Sequence, residues 1–145
     1  MELDSLYQEV ILDHYKHPQN KGLSPTFDAQ VHHVNTSCGD EITLNIDLEG
    51  DVISSLTWDG QGCSISQASV SMMSDLLTGK SLEEANVVVN SFSQLMASKG
   101  TSVGDPEILE DAVSFAGVSK FPGRVKCALL GWMAFKDVAI QAQAE

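Results

Sequence analysis

Cysteine is scarce in this chain: Cys38, Cys63 and Cys127 are the only three in 145 residues. So few, and an odd number, exclude the dense disulfide framework of a small secreted protein. The opening MELDSLYQEVILDHYKHPQN has acids where a signal peptide carries basic residues, and its longest apolar run is Val10-Ile11-Leu12. Long hydrophobic runs are missing throughout. The longest, CALLGWMAF, has nine residues between Lys126 and Lys136, about half of the roughly 20 that a membrane span requires. Basic charge is the other shortage. Lys and Arg total 8 against 20 Asp and Glu, a net charge of −12, which argues against a nucleic-acid partner because phosphate binding needs a basic face. These absences lead to the expectation of a soluble, cytoplasmic protein with no membrane contact. The chain (1–145) is expected to form a single domain whose core stands without disulfides.

The hydrophobic pattern then supplies a fold class. Leu3, Leu6, Tyr7, Val10, Ile11 and His14 follow the three-four spacing of an amphipathic helix that Pro18 ends. A strand-like stretch covers Ala29–Asn35, and Ile42, Leu44, Ile46 and Leu48 alternate with polar residues as a half-buried strand does. Glu49-Gly50-Asp51 reads as a hairpin turn, after which Val52, Leu56 and Trp58 continue the sheet. Beyond Gly62 the period becomes helical, with Ile65, Ala68, Met72, Met73 and Leu76 on one face and Gly79 as the stop. Ser81 and Glu84 have the spacing of a capping box ahead of a helix carrying Leu82, Ala85, Val89, Phe92 and Leu95 or Met96. Asp105 and Pro106 open a further helix. The last begins near Pro122-Gly123 and carries Val125, Leu129, Trp132, Phe135 and Ala139. Strands run together and helices run together, which predicts an α+β fold: a three-stranded antiparallel sheet packed against about five helices.

The cysteines are far apart in sequence, without the C-x-x-C pairing of zinc fingers. Their settings say more. Cys38 precedes Gly39 at a strand–turn–strand corner, Cys63 follows Gly60 and Gly62 and immediately precedes a helix, and Cys127 lies about one turn into the last helix. Helix N-termini favour the thiolate form, so these three could converge at one end of the sheet. Each alone also reads as a small buried hydrophobe, and Asp40 alone as a turn former. Taken together, Cys38, Asp40, Cys63 and Cys127 make a four-coordinate, thiolate-rich set of the kind that suits zinc or an iron–sulfur cluster. Half of the basic residues, Lys120, Arg124, Lys126 and Lys136, fall in the window around Cys127. They read either as a solvated helix surface or as compensation for an anionic site. His14, His17, His32 and His33 are left out of the site; the last two are adjacent on a strand and must face opposite ways.

The segments LYQEVILDHYKHPQNKG, SCGDEITL, GQGCSISQAS, TGKSLEEA and VKCALLGW, in this order, resemble the U-type iron–sulfur assembly proteins IscU and SufU over nearly the whole chain. The resemblance implies one metal site, with Cys38, Asp40, Cys63 and Cys127 at the family's ligand positions and a pyridoxal-phosphate cysteine desulfurase as sulfur donor. Two departures favour the SufU branch. Lys126 stands where IscU-like members have a histidine, and FPGRVKC replaces their Leu-Pro-Pro-Val-Lys chaperone motif. The chain is also longer around Val88–Asp111, a SufU feature. That branch implies zinc, with iron or an iron–sulfur cluster as the alternative. It also implies sulfur acceptance from a SufS-like desulfurase, with downstream iron–sulfur assembly proteins as further partners.

In such a transfer cycle one zinc ligand must leave to become nucleophilic. Cys38 is the expected one, because a hairpin corner beside glycine can move while cysteines at helix starts are held by packing. A histidine of the desulfurase would take the vacated position, Asp40 would be a weakly held ligand, and Arg124 would steady negative charge or dock the partner. Whether this makes the chain an enzyme or an accessory to one stays open. Two rival readings remain: a scaffold that assembles a [2Fe–2S] cluster on the same ligands, and a metal-free protein-binding module that uses its acidic surface.

Overall fold

A computed structural model of the protein describes residues 5–37 and 39–144, with side chains from residue 7 onward. The elements are α1 (Ser5–Lys16), β1 (Ala29–Asn35), β2 (Asp40–Glu49), β3 (Val52–Gln61), α2 (Ser64–Leu77), α3 (Leu82–Ala97), α4 (Pro106–Leu109), a 3-10 segment (Glu110–Lys120) and α5 (Pro122–Gln143). The three strands form one antiparallel sheet in the order β1-β2-β3, the meander and α+β class expected from the sequence. Of the first helix's proposed stripe, Leu3 and the side chain of Leu6 lie outside the described residues, and Ile11 is buried.

Alternation in β2 places Asp40, Ile42, Leu44 and Ile46 on the buried face. Opposite them stand Asn35, His33, Val31 and Ala29 of β1. On the other side Leu44 pairs with Trp58 and Ile46 with Leu56. The register then slips between Asp47 and Leu48, so that Leu48 faces Ile53. Val52 continues the sheet as expected, but beside the bulge it is Ile53 that is buried while Val52 is 38% exposed. The free edge of β3 is closed by the chain itself. Gly22 N–H donates to Trp58 O (2.7 Å), and Ile53 N–H donates to Lys80 O (2.8 Å).

Helix α5 lies against β1 and β2, while α2 lies against β3 and alongside α5. The α2–α5 seam is both tight and polar. A Cβ on Gly131 would lie 2.8 Å from Val70 Cβ, closer than side chains tolerate, so glycine permits this approach. Beside it, Trp132 Nε1 donates to Ser69 Oγ (2.9 Å), and Ser69 Oγ donates to Ala128 O (2.6 Å). Small residues let α5 bury most of its circumference, and Val125 and Leu129 of the expected stripe are only partly buried. In α2 the buried residue at the C-terminal end is Leu77, with Leu76 at the margin.

The capping box at Ser81 is present: Glu84 N–H donates to Ser81 Oγ (3.1 Å) and Ser81 N–H to Glu84 Oε1 (3.0 Å). Hydrogen bonding to the carboxylate by the Ser81 backbone N–H, and secondarily by the Ser81 hydroxyl, holds the Glu84 carboxyl below its usual range. The stabilisation is therefore complete at neutral pH and fades as pH falls through and below that range. Asp105 and Pro106 do open a helix, but it stops after four residues because Glu110 turns to φ 48°. The chain continues as a long, almost wholly buried 3-10 segment rich in alanine, serine and glycine. The stretch Val88–Asp111 thus spans the second half of α3, α4 and the start of this segment. It contributes Phe92, stacked on Trp132 at 4.1 Å and edge-on to Phe115 at 5.9 Å. On the far side of α5, Asp137 accepts from His33 Nε2 (2.9 Å) and Gln141 Nε2 (3.1 Å). His32 faces the other way, toward Thr43.

The α2–α5 seam generates a test. Gly131→Ala should cost about 1–3 kcal/mol by overpacking, read by urea denaturation. Combining it with Val70→Ala should recover part of that loss, a coupling that additive single effects would not give.

Candidate metal centre

Asp40 is completely buried at the start of β2, a position where a lone carboxylate is costly unless bonded. Its partner is the N-terminus of α2. Cys63 is the N-cap of that helix, and its backbone N–H donates to Asp40 Oδ1 (2.8 Å) while its thiol lies 3.8 Å from Oδ2. The Cys63 sulfur in turn accepts from Ser66 N–H (3.5 Å). Gly62, at φ 150°, makes this contact sterically possible: a Cβ there would overlap the Asp40 carboxylate and sit 2.9 Å from Asp40 Cα. Gly60, two residues earlier, is needed for a different contact, the approach of β3 to β2: a Cβ there would overlap Glu41 O and lie 3.1 Å from Ile42 Cα.

Cys127 arrives from α5 and is buried, its thiol directed at Gly123 O (3.5 Å). One ligand atom each from Asp40, Cys63 and Cys127 lies within 4.8 Å of the other two. Three of the four residues singled out from the sequence thus meet. The fourth, Cys38, lies outside the described residues; its neighbours Ser37 and Gly39 are exposed, and Asp40 follows two positions on. The donor set is two soft sulfurs and one hard oxygen. Four-coordinate zinc spaces such donors about 3.6 Å apart, close to the 3.8 Å between the Cys63 sulfur and Asp40 Oδ2. The residues present therefore fit zinc in chemistry and in approximate spacing.

An open cleft of about 590 Å³ runs against both cysteines, walled by Ile65, Phe121, Pro122 and Arg124. Arg124 rests its guanidinium on the Phe121 ring, 5.1 Å from the centroid, so the cation stands at the cleft rim. Lys126 is exposed. The apolar lip made by Phe121 was not read from the sequence, since an isolated aromatic before Pro-Gly carries no periodic signal. The steric role of Gly62 was equally hidden, because only the fold reveals what a glycine touches. Among the histidines, His14 bonds Ser71 (2.9 Å) and His33 bonds Asp137, so neither joins the cluster. No helix among the described residues is long and apolar enough to cross a membrane.

Comparison with known proteins agrees with this arrangement. The family model described as the NifU-like N terminal domain matches residues 6–128. The zinc-dependent sulfurtransferase SufU of Bacillus subtilis (strain 168) is 44% identical over 135 residues, covering 92% of this chain and 89% of that protein. The iron–sulfur cluster assembly scaffold protein IscU of Streptococcus pyogenes serotype M1 is 40% identical, covering 94% of this chain and 84% of its own. Among solved structures, a candidate iron–sulfur cluster assembly scaffold protein for the SUF system from Fervidobacterium islandicum AW-1 superposes with a TM-score of 0.85. It is 32% identical and covers 93% of this chain and 97% of that one. With the fold, the Asp-Cys-Cys cluster and these matches in agreement, the chain belongs to the NifU-like N-terminal domain family, which includes IscU and SufU.

Proposed function

We propose that this protein is a zinc-dependent sulfur acceptor that takes persulfide sulfur from a SufS-type, pyridoxal-phosphate cysteine desulfurase for iron–sulfur cluster assembly in the cytoplasm. The observation that carries the proposal is the Asp40–Cys63–Cys127 cluster at the wall of an open cleft. Its similarity to a relative named a zinc-dependent sulfurtransferase supports it.

Cys38, Asp40, Cys63 and Cys127 would hold the ion. Zinc bound there would keep the thiols in the thiolate form. Cys63 and Cys127 are anchored by their helices and serve as fixed ligands. Cys38 is the acceptor. Its thiolate attacks the outer sulfur of the desulfurase persulfide, a new S–S bond forms on Cys38, the donor's S–S bond breaks, and the desulfurase cysteine leaves as thiolate. No net oxidation or reduction occurs. Arg124, at the cleft rim, presents a cation to the approaching anionic persulfide.

A second reading, assembly of a [2Fe–2S] cluster on the same residues, is favoured by the IscU scaffold name of the Streptococcus pyogenes relative. Elemental analysis and visible spectroscopy of protein never exposed to added metal separate the two. The sulfur-acceptor reading predicts one zinc per chain and no visible absorption, while bound iron with cluster absorption would contradict it.

Four variants test the assignments. Cys38→Ala should retain the fold but lose all stimulation of a cognate desulfurase; full stimulation would remove Cys38 from its role. Cys63→Ala and Cys127→Ala should lose zinc and fall in thermal midpoint, and unchanged zinc stoichiometry in both would refute a shared site. Gly62→Ala keeps every ligand yet pushes on Asp40, so it should lower zinc affinity in a chelator competition and destabilise the protein by about 2 kcal/mol.

A further inference from the structure

Buried polar groups are nearly always hydrogen-bonded, so each exception asks for a missing partner. Four buried side-chain atoms here have none among the described residues: Asn35 Nδ2, Gln67 Nε2, Ser93 Oγ and Ser114 Oγ. The two hydroxyls belong to α3 and the 3-10 segment, neither of which carries a member of the cluster. The two amides do not line the cleft, but each belongs to a direct neighbour of a cluster residue. Asn35 is the direct cross-strand partner of Asp40, so their side chains stand side by side on the inner face of the sheet. The orientation of its amide is fixed, because Asn35 Oδ1 accepts from Ser37 N–H (3.2 Å) and leaves Nδ2 as the free donor. Gln67 is only 5% exposed and sits one turn beyond Cys63 on α2, its backbone N–H bonded to Cys63 O (3.2 Å). A long helical side chain leans back toward the preceding turn, which here is that of Cys63.

Two amide donors that have lost water without gaining an acceptor thus flank a carboxylate–thiol cluster. The carboxylate does not satisfy them: Asp40 accepts from the backbone N–H of Cys63 and faces its thiol instead. The acceptor they suit is a large, polarisable anion delivered to the cluster. We propose that Asn35 Nδ2 and Gln67 Nε2 form a donor pocket for the terminal, anionic sulfur of a persulfide carried at this site. The pocket rests on the sulfur-acceptor reading and adds to it the residues that hold the cargo. Hydrogen bonds to the terminal sulfur draw charge from it and shelter it from reductant, so the protein carries sulfur without losing it as sulfide.

The test loads sulfur in two ways. Tetrasulfide delivers it chemically: the protein thiolate takes one outer sulfur to become a persulfide anion, and trisulfide dianion leaves, with charge and atoms conserved. A cognate desulfurase with cysteine delivers it enzymatically. Intact-mass spectrometry then follows the loss of the added sulfur in dithiothreitol for the wild type, Asn35→Asp and Gln67→Met. Asn35→Asp keeps the oxygen that Ser37 uses but replaces the donor with a charged acceptor opposite Asp40. Gln67→Met keeps the length and removes the amide without adding charge, so it is the variant that isolates the hydrogen bond. The wild type should hold chemically loaded sulfur about tenfold longer than either variant, the effect of losing a hydrogen bond to a charged group.

Equal lifetimes in all three proteins, with circular dichroism and zinc content unchanged, would overturn the pocket and leave the amides to a trapped water. Failure of the wild type to take sulfur from tetrasulfide would overturn it as well. If one variant does not fold, the other decides. Loading by tetrasulfide but not by the desulfurase, with the lifetime difference intact, would sink the sulfur-acceptor reading while the pocket stands.

Discussion

The seam between α2 and α5 is the constraint on which the rest depends. A helix can present a cysteine at its N-terminus wherever it lies, but two such cysteines share one site only if their helices approach closely and in one register. Gly131 removes the side chain that would collide with Val70. The Trp132–Ser69–Ala128 hydrogen bonds fix the axial position of one helix on the other. The aromatic stack of Phe92 on Trp132 backs the same seam from α3. With both helices so held, Cys63 and Cys127 have little freedom left.

The sheet supplies the third member by a different device. Asp40 is buried at the first residue of β2 and accepts the hydrogen bond that opens α2. A helix N-terminus is a natural place for a carboxylate, and this one couples the sheet directly to the helix start. The arrangement leaves one side open, toward a cleft with an apolar lip and a cation at its rim. Rigid sulfurs at the back and an accessible front are what a site needs if it must hold an ion and still admit a partner's thiol chemistry.

Much of this was legible in the sequence because the informative signals were local. Strand alternation in β2, the capping box at Ser81 and the glycine-flanked cysteines each declare themselves within a few residues. The resemblance to IscU and SufU then united distant segments that spacing alone left unconnected. What stayed hidden was set by tertiary contact. Beside the bulge at Asp47 and Leu48, Ile53 rather than Val52 enters the core. The left-handed Glu110 cut short the helix that Asp105 and Pro106 promise, and the small residues after it packed as a 3-10 segment. A pattern of apolar residues gave α5 one stripe, but alanine and glycine let it be enclosed on most sides.

The central claim is that thiols distant in sequence and one buried acid enclose a single metal ion. X-ray absorption at the zinc edge of the protein as purified addresses it most directly. The account predicts four-coordinate zinc with sulfur as the majority ligand and one lighter oxygen scatterer. A six-coordinate shell of oxygen and nitrogen with no sulfur would contradict it.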